Sequence, residues 1–203
     1  MNILFVCTGN TCRSPMAEAL MKAKKHNANV KSAGIFAEDG HSVSEHTRAV
    51  LAEVGLSSEY TSRAVSKELL EWSDLVLCMT ESHKQTLALQ YPDFQEELFT
   101  LKEYVLIDDD QWKQLIDHYT HFEEKRAWVL SHADESLNEV ELEQHLLKEL
   151  DTEIEVIKQA EESLPNLNII DPYGQSVEVY RETRNELDQT LKLLANKVEK
   201  ETE

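Results

Sequence analysis

The sequence predicts an α/β fold of three layers, in which helices flank a four-stranded parallel sheet. Short apolar runs alternate with amphipathic stretches through the first half of the chain. This βαβ alternation is typical of a parallel sheet that helices cover on both faces. A last stretch, residues 177–197, repeats apolar side chains at helical spacing and predicts an amphipathic closing helix.

Each element has a local signal in the chain. Apolar runs predict strands at residues 3–6, 30–33, 73–80 and 99–101. Helices are predicted at residues 14–25 with Pro15 first, at 44–54 before the stop signal Gly55, from Ser66 onward, and after the third strand through Leu89. This order corresponds to a flavodoxin-like arrangement, in which ligands bind at the carboxyl ends of the strands.

Composition limits the class of protein. The 203 residues, 41% of them hydrophobic, suffice for one domain with a buried core, which we expect to span residues 1–203. The formal net charge of −19 opposes binding to nucleic-acid phosphates. The sequence contains no run of about 20 apolar residues, so it predicts no membrane span. Three cysteines form no disulfide framework, so we expect a cytoplasmic protein with neither nucleic acid nor membrane as partner.

Residues 106–168 differ from the rest of the chain. They hold 17 acidic and 5 basic residues and no glycine. Apolar residues recur at steps of three and four in residues 112–122 and again in 140–157, which predicts two helices. Ser136 and Glu139 have the spacing of a capping box at the start of the second helix. We therefore expect an acidic helical insertion within the α/β domain.

The stretch CTGNTCRSP, which begins at Cys7, joins the first strand to the first helix. Backbone N–H groups of such a loop form an anion site, and Arg13 adds a planar charged fork that can hold two phosphate oxygens. This positive pocket favours the thiolate form of Cys7, to which Ser14 can donate a hydrogen bond. Gly9 permits backbone torsions closed to other residues, and Asn10 can tether the loop through its side chain. The combination predicts a nucleophile aimed at a bound phosphorus atom.

At these residues the sequence resembles the low-molecular-weight protein tyrosine phosphatase family. The loop matches the family pattern Cys-x-Gly-Asn-x-Cys-Arg-Ser-Pro. Three further segments are similar to family segments, namely SAG at residues 32–34, LCMTES at 77–82 and DPYG at 171–174. The resemblance covers residues 1–105 and 169–199, and the acidic insertion lies outside it.

The resemblance implies an enzyme that acts on phosphorylated proteins and requires neither a metal nor another cofactor. Cys7 would attack the phosphorus and form a phosphocysteine intermediate, while Arg13 would hold the phosphoryl oxygens. Asp171 would protonate the leaving atom and then deprotonate the water that releases phosphate. The residues expected to bind substrate or phosphate are Thr8, Gly9, Asn10, Thr11, Cys12, Ser14 and Tyr173.

Two places in the chain indicate which phosphorylated amino acid the enzyme would accept as its substrate. Tyrosine-specific members of the family commonly have a bulky aliphatic residue at the position of Thr11 and two aromatics at that of Tyr173-Gly174. At both places, and in the segment FTLKEYV at residues 99–105, the chain resembles bacterial protein-arginine phosphatases. A planar guanidinium can lie against Tyr173 while Asp171 accepts its N–H groups. We expect phosphoarginine, with phosphotyrosine as the alternative.

Two other classes of protein are compatible with the loop. An arsenate reductase shares it but needs further shuttle cysteines after the third strand, a region that offers only Cys78. A non-catalytic phosphate-binding protein would use the insertion as its working part, although intact Cys7, Arg13 and Asp171 oppose this interpretation. Cys12 is either the partner of Cys7 in a reversible disulfide, as in related enzymes, or a small packing residue.

The insertion at residues 106–168 has three interpretations. It joins the chain just before the Asp-Pro segment, so it can dock a protein partner or cover the active site. It can equally be an additional helical hairpin that only packs on the domain. Its histidines are His118, His121, His132 and His145, and because they form no tight ligand motif the sequence predicts no metal site.

Overall fold

The computed structural model describes residues 1–24, 26–134 and 136–201. The chain divides into two compact units. Met1–Leu106 and Asn166–Glu203 form the first unit, and Ile107–Pro165 forms the second. All described strands, and every residue predicted to form a site, belong to the first unit.

Within the described residues the sheet has four strands, all parallel, in the order β2-β1-β3-β4. They are β1 (Asn2–Cys7), β2 (Asn29–Gly34), β3 (Leu75–Cys78) and β4 (Leu98–Thr100). The register pairs Cys7 with Gly34 on one side of β1 and Val6 with Cys78 on the other. The predicted parallel sheet is therefore confirmed, and its carboxyl edge carries the loop that follows Cys7.

The helices of the first unit follow the predicted order. They are α1 (Arg13–Lys22), α2 (Glu45–Ala52), α3 (Lys67–Trp72), α4 (Glu81–Gln90), α5 (Leu101–Leu106) and α9 (Val177–Glu201), with a 3₁₀ helix at Pro92–Glu97. Pro15 lies at the third position of α1 and not at the first. At the third position a proline still removes no helical hydrogen bond, because the N–H groups of the first turn have no partner within the helix. Lys25, the predicted end of α1, lies outside the described residues. In the described ranges no helix combines the length and the apolar character that a membrane crossing requires.

Hydroxyl side chains fix the starts of three of these helices. Ser44, Ser66 and Thr80 precede α2, α3 and α4, and each accepts a hydrogen bond from the backbone N–H three residues further on. Such N-caps satisfy one of the free N–H groups at a helix start. The predicted starts near Ser44 and Ser66 are thereby explained.

Alternate residues of β1 face opposite layers of the fold. Ile3 and Phe5 pack into the core cluster that also holds buried side chains of α1, α5 and α9. Leu4 and Val6 pack into a second cluster with buried side chains of α3 and α4. Because both faces of the strand are buried, its sequence is apolar throughout and does not alternate.

The second unit has three helices in its described residues, whereas the periodicity predicted two. They are α6 (Asp109–His132), α7 (Glu139–Glu149) and α8 (Asp151–Glu162). The additional break lies at Leu150, whose side chain is buried and whose ψ of 2° departs from the helix. The Leu150 N–H still bonds to Leu146, and its carbonyl accepts the N–H of Ile154. The apolar spacing continues through this one-residue break, so the pattern alone does not reveal it.

The start of α7 also differs from the prediction. Asn138 is the N-cap, and its Oδ1 accepts the N–H groups of Val140 and Glu141 at 3.0 and 3.1 Å. The Glu141 carboxylate accepts the Asn138 N–H at 3.1 Å, which completes a capping box. The Ser136 hydroxyl instead donates to Asp134 at 2.7 Å. The box at Asn138 sets the helix start because it satisfies three backbone N–H groups.

Candidate active site

Cys7 ends β1 and lines a cleft at the carboxyl edge of the sheet. Its side chain is 3% exposed, and its sulfur is 3.0 Å from Ser14 Oγ. The Cys7 carbonyl accepts the Ile35 N–H at 3.0 Å, which holds the strand end against the next segment. A thiol that lines a cleft beside a hydroxyl group is placed to act as a nucleophile.

Asn10 is the residue at which the loop turns. Its φ of +52° lies in the left-handed region, and among the described residues it is the only non-glycine there. Gly9 is not one of the described glycines with positive φ, so the left-handed turn falls at Asn10 and not at the glycine beside it. Asparagine tolerates this conformation better than most residues because its short side chain bonds locally.

The Asn10 side chain tethers the loop through a buried network, as predicted. Its Nδ2 donates to Ser14 Oγ at 2.8 Å and to Ser32 Oγ at 2.9 Å. Its Oδ1 accepts the Arg63 N–H at 3.0 Å. Ser32 in turn donates to the buried Glu18 carboxylate at 2.6 Å. Ser14 Oγ thus accepts a hydrogen bond from Asn10, and it donates one to the Ala33 carbonyl at 3.2 Å.

Gly34, the last residue of β2, lies directly against this loop. A Cβ at Gly34 would stand 2.7 Å from both the Asn10 nitrogen and the Thr8 carbonyl oxygen. Because both are backbone atoms of the loop, any side chain at this position would displace it. The Phe36 N–H also donates to the Thr8 carbonyl at 2.9 Å. The SAG segment therefore packs directly against the backbone of the loop and supports its conformation.

Arg13 and Asp171 are in direct contact. Arg13 is the first residue of α1 and is 4% exposed, and its Nη2 donates to Asp171 Oδ2 at 2.8 Å. The other carboxylate oxygen accepts the Tyr173 N–H at 3.1 Å, so the DPYG turn orients the acid. The Asp171 side chain remains 54% exposed. This exposure leaves the carboxylate accessible to a bound substrate.

The segment that carries Asp171 is attached to the junction of β3 and α4. The Ile169 N–H donates to the Met79 carbonyl at 2.8 Å. The Glu81 N–H donates to Asn168 Oδ1 at 2.9 Å, and Lys102 Nζ donates to the Asn168 carbonyl at 2.9 Å. These contacts explain how an acid distant in the sequence reaches the loop.

The cleft itself has a volume of about 510 Å³, within the usual range for small ligands. It is lined by Cys7, Thr8, Gly9, Thr11, Cys12, Arg13, Asp171 and Tyr173. The structure thus brings together eight of the ten predicted site residues. The side chains of Asn10 and Ser14 are buried away from the cleft and bond to each other.

Cys12 has its contacts on the side of the closing helix. Its sulfur is 3.3 Å from the Tyr180 hydroxyl and 3.6 Å from Ser44 Oγ. Burial and the hydrogen bond with Cys12 raise the pKa of Tyr180 to about 12, so the phenol stays protonated near neutral pH. Cys7, Cys12 and Cys78 are all free thiols, and Cys78 is a core residue of β3 as predicted.

His83 belongs to this region but was missed by the sequence analysis. The residue lies in the first turn of α4, and its Nε2 is 2.8 Å from Thr8 Oγ1. Burial and the positive charge of Arg13 lower the pKa of His83 from 6.5 to about 4, against an opposite effect of Asp171. The LCMTES segment ends one residue before it, and no spacing rule connects position 83 to position 8.

The insertion histidines do not gather into a site. Wherever the structure describes the chain, no three side chains of the His, Cys, Asp or Glu type come close enough to hold a metal ion. His121 instead lies 3.7 Å from Glu153, which also pairs with Lys125 at 2.8 Å. This histidine therefore belongs to a network between helices of the second unit.

A cysteine-dependent phosphatase needs an anion-binding loop, a nucleophilic thiol and an acid beside the phosphate. This site has a thiol at the first residue of its loop and a carboxylate beside the loop arginine. The fold places it where doubly wound sheets bind their ligands. The chain belongs to the low molecular weight phosphotyrosine protein phosphatase family, whose sequence model matches residues 2–156. Its members named below are phosphoprotein phosphatases, so the predicted family and enzyme class are confirmed.

Three relatives illustrate the similarity. A protein-arginine-phosphatase of Bacillus subtilis is 33% identical over 205 residues, which cover 99% of each chain. The solved structure of the YwlE arginine phosphatase from Geobacillus stearothermophilus superposes with a TM-score of 0.67 at 32% identity, over 98% of this chain and 94% of that one. The low molecular weight protein-tyrosine-phosphatase PtpB of Staphylococcus haemolyticus is 44% identical over 105 residues, 52% of this chain and 75% of that protein.

Proposed function

We propose that the protein hydrolyses phosphoarginine in proteins through a phosphocysteine intermediate on Cys7. The observation that carries the proposal is the meeting of Cys7, Arg13 and Asp171 at one cleft. Arg13 and Asp171 are 158 positions apart in the chain, yet their side chains touch. Nucleophile, phosphate ligand and proton donor are thus present together.

In the first step the Cys7 thiolate attacks the phosphorus, and the P–N bond to the guanidino group breaks. Arg13 and the loop N–H groups hold the non-bridging oxygens as charge develops on them. Arg13 must exchange its contact with Asp171 for the phosphoryl group, and this exchange frees the acid to face the substrate. Asp171 in its acid form then donates its proton to the leaving nitrogen.

In the second step water attacks the phosphorus, and the P–S bond breaks. Asp171, now a carboxylate, accepts the proton of the attacking water. Cys7 leaves as a thiolate, to which the Ser14 hydroxyl can donate across the 3.0 Å contact when its hydrogen turns away from the Ala33 carbonyl. The products are inorganic phosphate and the restored enzyme.

Two features of the cleft support arginine as the substrate's amino acid. Thr11 lines the cleft, and its small polar side chain can fix the orientation of the bound phosphoryl group at a position where tyrosine-specific relatives commonly carry a bulky aliphatic residue. Tyr173 is 76% exposed and is followed by Gly174, so one aromatic face is open for a guanidinium to lie against. The full-length similarity to a protein-arginine-phosphatase supports the same assignment.

The test is the ratio of kcat/KM on matched peptides that carry phosphoarginine or phosphotyrosine, with Cys7→Ala as the blank. We expect a strong preference for phosphoarginine and its erosion in Thr11→Ile. A Thr11→Ser variant is the matched control, because it keeps the hydroxyl and should keep the preference. A preference of the wild type for phosphotyrosine would leave the mechanism intact and overturn the assignment of the substrate.

We further propose that residues 1–203 form one phosphatase domain with residues 106–168 inserted, and that the insertion docks a Lys/Arg-rich segment of protein substrates. Its 17 acidic and 5 basic residues support electrostatic attraction of such a segment. The large apolar residues exposed on the insertion are Leu106, Ile116, Tyr119, Trp128, Leu130, Val140, Leu147, Ile154 and Val156. Acidic and apolar groups together suit a basic segment with some apolar side chains.

Salt dependence tests the docking proposal. If the insertion attracts a basic segment, KM for a basic phosphoprotein should rise steeply with ionic strength, whereas KM for a small aryl phosphate should rise much less. An equal salt dependence for the two substrates would refute docking through charge.

We also propose that the enzyme works in the cytoplasm. Its free thiols Cys7, Cys12 and Cys78 support a reducing compartment, since a nucleophilic thiol must stay reduced to act. Fractionation of the producing cell, with detection of the protein by antibody, tests this assignment.

A further inference from the structure

His83 connects the phosphate-binding loop to α4 through both of its ring nitrogens. Nε2 is 2.8 Å from Thr8 Oγ1, and Nδ1 is 2.8 Å from Thr80 Oγ1. The ring is 8% exposed, so these contacts are largely shielded from water. A buried side chain with both polar atoms engaged is held in one orientation.

The ring carries a single hydrogen near neutral pH, because the pKa of His83 lies near 4. The Thr80 hydroxyl oxygen accepts the backbone N–H of His83 at 3.2 Å, and its own hydrogen can go to Nδ1. The ring hydrogen then lies on Nε2 and is donated to Thr8 Oγ1. In this arrangement Thr80 donates to the His83 ring and the ring donates to Thr8. The hydroxyl hydrogen of Thr8 is then not used by either contact.

Thr8 itself is exposed and lines the cleft beside Cys7. Its hydroxyl oxygen receives a hydrogen bond from inside the protein, so its hydrogen is available on the side of the cleft. A negatively charged phosphoryl group bound there is the acceptor that such a hydrogen would meet.

We propose that His83 is a positioning residue that orients the Thr8 hydroxyl as a hydrogen-bond donor to the bound phosphoryl group. The inference deepens the proposed phosphatase function and rests on phosphate binding at the same loop. His83 acts from the junction of β3 and α4, which also holds the Asp171 segment through Met79 and Glu81. One short stretch of chain thereby sets the positions of both the phosphate ligands and the acid.

The test is a double-mutant cycle on the affinity for inorganic phosphate, measured by calorimetry in the full-length protein. His83→Leu and Thr8→Val should each weaken phosphate binding about tenfold, the effect of one lost hydrogen bond to a charged acceptor. The double variant should bind about as weakly as either single variant, because both changes remove the same hydrogen bond. His83→Gln should restore most of the affinity, since its amide N–H can replace Nε2–H.

Thr86→Val is the matched control for the cycle. Thr86 lies one turn further along α4, and its hydroxyl donates to the Ser82 carbonyl, so its removal should leave phosphate affinity unchanged. Losses that multiply to about a hundredfold in the double variant, or wild-type affinity in His83→Leu, would overturn the proposal. If His83→Leu does not fold, Thr8→Val with unchanged affinity overturns it alone, because the exposed Thr8 side chain can be replaced without disturbing the core.

Turnover separates this inference from the proposed function. Wild-type kcat/KM on an aryl phosphate and on a phosphoarginine peptide is measured beside the calorimetry. A wild type that hydrolyses neither substrate would refute the enzymatic proposal, while the cycle on phosphate affinity would still decide the role of His83.

Discussion

At the scale of single residues, the side chains of the site divide into those that face the cleft and those that hold them from behind. Cys7, Arg13 and Asp171 face it, and the chemistry needs their reactive atoms there. The side chains of Asn10 and Ser14 are buried beneath the cleft-facing side of the loop. The two groups should therefore respond differently to substitution, the first in chemistry and the second in the geometry of the loop.

The acid role of Asp171 predicts a dependence on the leaving group. Asp171→Asn should lower kcat on a phosphoarginine peptide by about a hundredfold or more, because the leaving nitrogen must be protonated. On a nitrophenyl phosphate, whose leaving group needs little protonation, the loss should be much smaller. Steady-state kinetics on both substrates provide the check, and equal losses would assign Asp171 a binding role instead.

The lowered pKa of His83 predicts that this residue lowers the free energy of unfolding as the solution becomes acidic. The unfolded chain binds the proton at a pKa of 6.5 and the folded protein only near 4, so the unfolded state gains protons first as pH falls. Stability from the neutral ring is present above pH 6.5 and is lost toward pH 4. From pH 7.5 to pH 5 we expect this residue to account for about 2 kcal/mol of the loss.

Urea unfolding of wild type and His83→Gln at the two pH values measures this share. Glutamine does not titrate, so the free energy of unfolding of the wild type should fall further on acidification than that of the variant. Parallel falls in the two proteins would show that the folded His83 ring takes up its proton at an ordinary pH.

At the scale of elements, apolar runs and periodicity predicted the fold well and the insertion less well. The strands and the helix starts at Ser44 and Ser66 were predictable because their signals are local, and both serines prove to be N-caps. The break at Leu150 was missed because apolar spacing continues through it. His83 was missed because its contact with Thr8 depends on the parallel pairing of β1 with β3, which no local pattern encodes.

The start of α7 gives a prediction at this scale. Asn138→Ala should cost that helix about 1 kcal/mol, because Asn138 caps it, whereas Ser136→Ala should cost much less. Hydrogen exchange of the α7 amides is the measurement, since it reports opening of that helix. Faster exchange in Ser136→Ala than in Asn138→Ala would restore the start that the sequence predicted.

At the scale of the whole molecule, we expect the two units to have separate tasks. Every residue of the cleft belongs to the first unit, and the acidic surface at residues 107–165 belongs to the second. Phosphoryl transfer should therefore depend on the first unit and selection of protein substrates on the second.

Replacement of residues 107–165 by a flexible Gly/Ser linker tests this division. The variant should keep wild-type kcat/KM on an aryl phosphate and lose efficiency on basic phosphoproteins, with the difference in KM. A matched variant keeps the insertion and changes only part of its acidic residues to Gln, which should reproduce the loss without any deletion. Unchanged activity on every protein substrate would eliminate both docking and a covering role for the insertion.

The central claim is that the phosphoryl group of phosphoarginine passes to the side chain at position 7. The most direct measurement is mass spectrometry of Cys7→Ser after incubation with an arginine-phosphorylated protein, because a phosphate ester on oxygen is more stable than one on sulfur. We expect one phosphoryl group on the peptide that contains position 7, and none when Arg13 is also changed to Ala. Labelling from a phosphotyrosine protein but not from the phosphoarginine protein would contradict it.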